Sequence, residues 1–263
     1  MSRENINYKT SEDIAKLRIS GKMLTECLYE LYNITKPGIK LIDLEIYISS
    51  KLSKYPDYKW SFLGYNGFPT NLCLSVNDCL VHGVPNQYIL KEGDLLKIDM
   101  WITYQKMITD AAISVIVGGK NTNAKAHKLA KITKNVLDKS LSKIKTWVSL
   151  YEYWWYVESL VKSRWAMVVK TLTWHGVWYK VHENPYILNH WDTKYKSIKF
   201  RPWMVLALEP ILSYNSDDYI QMTGNTWPMY TKNWDLWSQR EYTILVSDNG
   251  VEILAGVTED LWL

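Results

Sequence analysis

The chain has 263 residues, a net charge of +4 and 47% apolar residues, enough for one large domain or two intimately packed halves around a substantial core. Its Lys and Arg residues are scattered rather than gathered into blocks, which gives a nucleic-acid or membrane-surface role little electrostatic support. No apolar run approaches the ~20 residues of a membrane span, and the N-terminal stretch MSRENINYKTSEDIAKL lacks the apolar core of a signal peptide, so a soluble, cytoplasmic protein is expected.

In chain order, Ser11 followed by Glu12 and Asp13 reads as a helix start with acids in the first turn. The apolar stripe runs on through IAKLRISGKMLTECLYELYNI until Lys36, Pro37 and Gly38 stop it. Leu41 to Leu52 reads as a second helix. SFLGYNGFPTNLCLSVNDCLVHG alternates like a pair of strands, punctuated by Gly64 and Gly67. Leu95 to Asp99 reads as a strand, with Ile102 to Tyr104 and Met107 to Ile116 as its hairpin partners. Asn123 to Ile144 and Leu150 to Ser163 read as a second pair of helices, and Val168 to Thr173 as a short strand leading into His175. A polar loop spans Asn189 to Lys199, and REYTILVSDNGVEIL closes the chain as a hairpin that turns at Asp248, Asn249 and Gly250. Hairpins flanked by helices predict an α+β protein. Cys27, Cys73 and Cys79 show no CxxC spacing, so they are expected to be reduced and buried.

Within this frame Asp99 and Asp110 fall where core residues belong, and a buried, unpaired carboxylate is costly enough to require a partner or a cation. The second half of the chain repeats the arrangement. KEGDLLKID, ending at Asp99, matches RPWMVLALE, ending at Glu209; LVHGVPN with His82 and Pro85 matches KVHENPY with His182 and Pro185; KPGIKLIDLE from Lys36 matches KTWVSLYEYW from Lys145. Two similar halves, about 1–119 and 120–263, are therefore expected to form a single domain about a pseudo-two-fold axis, each bringing a His and an acid toward a shared centre. Asp99, Asp110, His175, Glu209 and Glu241 make an oxygen-rich set with one imidazole, suited to a pair of divalent ions such as Mn, Fe, Co or Zn. The ligand types leave the native metal open among these.

The ordered segments GYNGFPTNLCLSVND, VHGVPN, IDMWITYQKMITDAA, WHGVWYKVHENP, MVLALEPIL and SQREYTILVSDNG together resemble the type I methionine aminopeptidases of the pita-bread (creatinase-like) fold over nearly the whole chain. The resemblance implies that Asp99, Asp110, His175, Glu209 and Glu241 are ligands of two divalent ions, with Asp110 and Glu241 bridging both. It implies removal of N-terminal methionine from nascent polypeptides and Met-initiated peptides by a metal-activated water. Glu209 then shuttles the proton, His182 lies near the carbonyl oxygen and His82 near the leaving group. Phe62, Tyr65, Phe68, Cys73 and Trp227 match the positions around the substrate's first side chain, and such an apolar, aromatic slot fits a thioether. No insertion domain, no nucleic-acid partner, no membrane and a monomeric state go with this reading, and His127 and His190 are expected at the surface. The alternatives are an Xaa-Pro-type aminopeptidase or a non-catalytic binding protein of the same fold. The first usually carries an extra N-terminal domain, for which this chain has no room; the second would have lost ligands. A type II enzyme would need a longer insertion between His182 and Glu209. Tyr242 departs from the histidine that is common after the last glutamate, a change that bears on metal tuning rather than ligation.

The fourteen tryptophans form a second pattern. Trp147 stands opposite Gly38 in the repeat and Trp203 opposite Gly93, both turn positions where glycine supplies a backbone that other residues adopt poorly. The family resemblance places glycine also at Trp101, Trp165, Trp174, Trp178 and one of Trp154 and Trp155, whereas Trp227 is a tryptophan there too. Trp174 and Trp178 bracket His175 and are expected to push indoles into the wall of the metal site. A UGA codon that the source organism reads as glycine, translated as tryptophan, accounts for the pattern.

Overall fold

A computed structural model describes residues 6–190, 192–221 and 227–261. Helix α1 (Ser11–Ile34) opens on a capping box in which the Thr10 hydroxyl accepts from the Asp13 N–H and the Asp13 carboxylate accepts from the Thr10 N–H; the cap is Thr10, one residue before the expected start. Helix α2 (Leu41–Leu52) follows the Pro37–Gly38 stop. The chain then builds strands β1 (Tyr58–Trp60), β2 (Cys73–Val76), β3 (Leu95–Tyr104) and β4 (Met107–Ile116). They form an antiparallel sheet in which β3 pairs with β1 and β2 on one side and with β4 on the other.

Ile102 to Tyr104 is not a separate hairpin partner. It continues β3, because Gln105 and Lys106 take the positive φ values of a two-residue hairpin turn. The stretch expected as a strand pair forms only β2; Gly64, Asn66 and Gly67 adopt left-handed backbone around a short 3-10 turn at Tyr65–Gly67, which ends any ladder there.

The second half repeats the order. Helices α3 (Ala124–Leu141) and α4 (Leu150–Lys162), the latter with a Ser149/Glu152 capping box, precede β5 (Met167–Val168), β6 (Thr173–Gly176), β7 (Glu183–Leu188), β8 (Val205–Leu208) and β9 (Ile211–Ser213). The expected strand from Val168 to Thr173 is thus two short ones with a break between. Within the expected polar loop, Thr193–Ser197 is a 3-10 turn, and Trp191 lies outside the described residues. Strands β10 (Tyr219–Gln221), β11 (Met229–Thr231), β12 (Trp237–Gln239), β13 (Tyr242–Ser247) and β14 (Gly250–Ala255) complete the fold. The main second sheet has the order β14-β13-β8-β6-β7, and smaller sheets join β12, β9 and β5, and β10 with β11. The central strand β8 lies between β6 and β13 much as β3 lies between β2 and β4.

Strand alternation decides what faces what. On β3 the residues Leu96, Ile98, Met100 and Ile102 pack outward into one core with Leu24, Leu28 and Leu31 of α1 and Leu44 and Ile48 of α2. Lys97, Asp99 and Trp101 face the other way. On the second sheet, Trp174, Leu206, Leu208, Ile244 and Val246 pack outward against α3 and α4. The two inner faces meet in a third apolar cluster that includes Phe62, Phe68, Cys73, Trp101, Val205 and Ala207. Hydrogen bonds join the halves there: the Asp110 N–H donates to Thr243 Oγ1 at 2.9 Å, Thr243 Oγ1 donates to the Asp110 carbonyl at 2.7 Å, and the Glu241 N–H donates to the Ala112 carbonyl at 3.0 Å. Cys27, Cys73 and Cys79 are buried free thiols. Among the described residues no helix is long and apolar enough to cross a membrane.

Candidate metal centre

The two inner faces deliver the acids to one place. Asp99 lies in the middle of β3, paired across the ladder with Ala112, and Asp110 on β4 is paired with Trp101. Because the Glu241 backbone bonds to Ala112, Glu241, immediately before β13, is brought beside Asp99. His175 is on β6 opposite Ala207, two residues before Glu209 at the end of β8.

Ligand atoms of Asp110, His175 and Glu241 all lie within 4.8 Å of one another. His175 Nε2 is 3.8 Å from Asp110 Oδ2 and 3.6 Å from Glu209 Oε1. Asp110, His175 and Glu241 are 1–2% exposed and Asp99 7%, while Glu209 keeps a partly open side chain.

The electrostatics of this cluster call for a cation. Burial is the largest cause of the shift at each carboxyl: it pushes Asp99 up to about 7 and Asp110, Glu209 and Glu241 well above the usual carboxylate range, with repulsion from neighbouring acids adding at the last three. Oδ1 of Asp99, Oδ1 of Asp110 and Oε1 of Glu241 are buried with no hydrogen-bond partner. Among the described residues no Lys or Arg forms an ion pair with any of the four; the Lys97 ammonium, on the same face of β3, is spent on the Asn77 carbonyl at 2.7 Å. His175 Nδ1 lies 3.1 Å from the Gly176 carbonyl, an acceptor only, so Nδ1 carries the proton and Nε2 turns its lone pair toward the acids. Burial first, then His182, holds this imidazole down to about 3, so it is neutral at pH 7. Orphaned buried oxygens with a neutral, oriented imidazole are the donor set of a divalent-metal site.

Around the acids, His182 Nδ1 is 2.8 Å from the Tyr65 hydroxyl, and its ring centroid is 4.3 Å from that of His175. Burial holds His82 and His182 down to about 4. Phe62 and Phe68 are buried with ring centroids 5.2 Å apart, Phe68 lies edge-on to Trp227 at 5.2 Å, and His82 approaches Trp227 at 6.2 Å. Cys73 pairs with Asp99 across the ladder. Phe62, Phe68 and Cys73 share one apolar cluster, against which Tyr65 and Trp227 pack, and Cys73 sets that cluster beside Asp99. Cavities of about 450 Å³ beside Leu141 and Asp248 and about 280 Å³ beside Tyr32 and Gly118 lie elsewhere and do not reach the acids. His190 and His127 are half-buried rather than fully at the surface, His190 bonding to the Lys170 carbonyl.

Trp174 does not wall the site in the expected way. Trp174 alternates with His175 on β6, so its indole points outward, onto Tyr153 and Trp154 at 5.7 and 4.3 Å; Trp178 does pack against the inner apolar cluster, its ring tilted 36° to that of Tyr179 and under the Lys9 ammonium at 4.9 Å. The indole that does reach the site is that of Trp101, two residues along β3 from Asp99 and hence on its face. Sequence reasoning also missed Gln239, whose amide reaches Glu209 Oε2 at 3.4 Å, and Thr243. Thr243 acts across the two halves, as does the Gln239 backbone through Ser114 Oγ, while the Gln239 amide links two strands of the second half, and no local pattern marks such contacts.

A model of metallopeptidase family M24 matches residues 15–249 of this chain. The chain is 33% identical to a methionine aminopeptidase of Buchnera aphidicola (subsp. Schizaphis graminum), over 95% of this chain and 94% of that one, and 30% identical to a methionine aminopeptidase of Escherichia coli K12 over 95% and 93%. Its fold superposes on the crystal structure of methionine aminopeptidase from Thermotoga maritima with a TM-score of 0.89 and 31% identity, covering 97% of this chain and all of that one. With this pita-bread fold, and with three buried acids, the half-buried Glu209 and a histidine converging between its halves, the chain belongs to metallopeptidase family M24 and, within it, to the methionine aminopeptidases.

Proposed function

We propose that the chain removes the N-terminal methionine from nascent polypeptides and Met-initiated peptides in the cytoplasm, as a monomer, with two divalent ions that Asp99, Asp110, His175, Glu209 and Glu241 would hold. The observation that carries this reading is the orphaned oxygen on each of Asp99, Asp110 and Glu241 in a cluster where, among the described residues, no Lys or Arg side chain pairs with the acids. When bound, the ions supply a water nucleophilic near neutral pH and a Lewis acid for the scissile carbonyl.

The residues do the rest. Glu209, the most open of the acids, takes the proton of the attacking water and delivers it to the leaving amine. His182, neutral at pH 7, receives the Tyr65 hydroxyl at Nδ1 and presents an Nε2 proton to the carbonyl oxygen as negative charge develops there. His82, held in a left-handed backbone (φ 58°), stands on the leaving-group side. Phe62, Tyr65, Phe68, Cys73 and Trp227 take the methionine side chain, and burial raises the Cys73 thiol well above its usual range, so it stays neutral beside the thioether.

Peptides beginning Met-Ala and Met-Lys, and one beginning Ala-Pro, assayed with added Mn or Co, test the reading. Release of methionine from Met-Ala with little from Met-Lys and none of alanine from Ala-Pro is the expected result. Preferred cleavage before proline would replace it with an Xaa-Pro activity.

A further inference from the structure

Among the described residues, nine other than glycine adopt left-handed backbone, and four of these are tryptophans: Trp147 (φ 77°), Trp165 (φ 56°), Trp203 (φ 71°) and Trp234 (φ 57°). The other five are Asn66, Asn77, His82, Gln105 and Lys106. Asparagine tolerates this region and histidine is enriched in it; a bulky residue there is an outlier. Packing does not account for the tryptophans, since the four are 47–88% exposed.

The repeat shows what these turns are built for. In Lys36-Pro37-Gly38-Ile39 the Ile39 N–H donates to the Lys36 carbonyl, and in Lys91-Glu92-Gly93-Asp94 the Asp94 N–H donates to the Lys91 carbonyl, with Gly38 at φ 91° and Gly93 at φ 86°. Lys145-Thr146-Trp147-Val148 and Arg201-Pro202-Trp203-Met204 close with the same bond, at 3.1 and 3.3 Å, and set a tryptophan at the glycine's place. Proline at the second position and positive φ at the third define a turn that demands glycine there. Trp165 stands where the chain leaves α4, another position that glycine commonly fills. Trp234 lies in the loop between β11 and β12 and has no counterpart in the repeat.

Trp101 has ordinary strand backbone and is marked by its contacts. Its indole stacks on Phe62 with centroids 3.7 Å apart and planes 12° from parallel, and meets Tyr65 and His182 edge-on at 5.2 and 5.4 Å. These three residues border the space assigned above to the substrate's first side chain and carbonyl, so the indole occupies that space. Trp174 and Trp178, at expected glycine positions, and Trp154, one of a pair of which one is expected to be glycine, also bury an indole N–H without a partner, as does Trp237, where a buried indole ordinarily finds one.

We propose that the natural protein carries glycine at positions 101, 147, 165, 203 and 234, through a UGA codon that its source reads as glycine, and that glycine at 101 opens the pocket for the methionine side chain that the Trp101 indole fills. The pocket half of this proposal rests on the function assigned above; the backbone half does not.

Reading the gene tests the backbone half. UGA at 147, 165, 203 and 234, with UGG at Trp227, is expected, and UGG at the four turn positions overturns it. Expressing this chain beside a variant with Trp147→Gly, Trp165→Gly, Trp203→Gly and Trp234→Gly gives a second readout. The variant should melt higher by about 2 °C per position, and an unchanged or lower midpoint contradicts the assignment. In that background Trp101→Gly should raise kcat/KM on Met-Ala peptides at least about tenfold and allow free L-methionine to bind, measured calorimetrically with Mn present. Tight Mn binding and a folded Trp101→Gly protein without either gain overturn the pocket half alone. Failure of every variant to bind Mn would instead count against the metal centre and the function built on it, leaving the codon result standing.

Discussion

The two sheets contribute to the metal centre in different ways. The first supplies aspartates from the interiors of long strands: Asp99 and Asp110 sit within the ten-residue β3 and β4, locked by a continuous ladder. The second supplies glutamates from strand ends, with Glu209 just after the four-residue β8 and Glu241 just before β13. A short side chain on a rigid ladder and a longer one on a strand terminus reach the same point, but the terminus needs to be held. That holding comes from the first sheet, through Thr243 on the Asp110 backbone, the Ala112 carbonyl on the Glu241 N–H, and Ser114 Oγ, which donates to the Gln239 carbonyl at 2.8 Å and accepts from its N–H at 3.1 Å.

Breaking that seam should have the larger effect. Thr243→Val keeps the shape but leaves the buried Asp110 N–H and carbonyl without this partner, a loss of about 2–4 kcal/mol. Urea denaturation of the metal-free protein checks it, and a change below about 0.5 kcal/mol would mean that the halves hold together without this contact.

A smaller effect separates the acids from the histidines. His82, His175 and His182, held at about 4, 3 and 4, bind fewer protons folded than unfolded. Their contribution therefore grows as pH rises and is complete by about pH 6.5. The acids run the other way: with folded pKa raised, Asp99 to about 7 and the others well above the usual range, the folded state binds more protons than the unfolded one above about pH 4. Their stabilisation is full below that and falls as pH rises through the folded values. Metal-free protein should therefore lose stability between about pH 6.5 and 7.5, above the range of the histidines and below that of the buried Lys9 and Lys97, which are held down to about 8, and saturating Mn should flatten that slope. A metal-free stability that is level or rising over this range would contradict the buried, uncompensated cluster.

Much of this site is legible in the sequence because strand alternation is strict: once Leu96 and Ile98 face a core, Asp99 faces away from it. The internal match between KEGDLLKID and RPWMVLALE points to Glu209 for the same reason. Alternation also settles Trp174, which faces opposite His175 and so away from the metal; proximity in sequence to a ligand is not proximity in space. The extension of β3 through Tyr104 is harder to read, because Gln105 and Lys106 form a hairpin turn without glycine or asparagine. Thr243, Gln239 and Ser114 meet partners more than a hundred residues away or on another strand, and nothing in their own neighbourhood announces it. Trp234 lacks a repeat partner, so only its backbone angle reveals it.

The central claim, that Asp110 and Glu241 are each needed to hold the pair of divalent ions proposed above, is tested most directly by counting metal. Unsubstituted protein, Asp110→Asn and Glu241→Gln, each equilibrated with Mn and measured by calorimetry and elemental analysis, should show two tightly held ions in the first and the loss or marked weakening of both in each variant. Two ions retained with unchanged affinity in either variant would contradict the account.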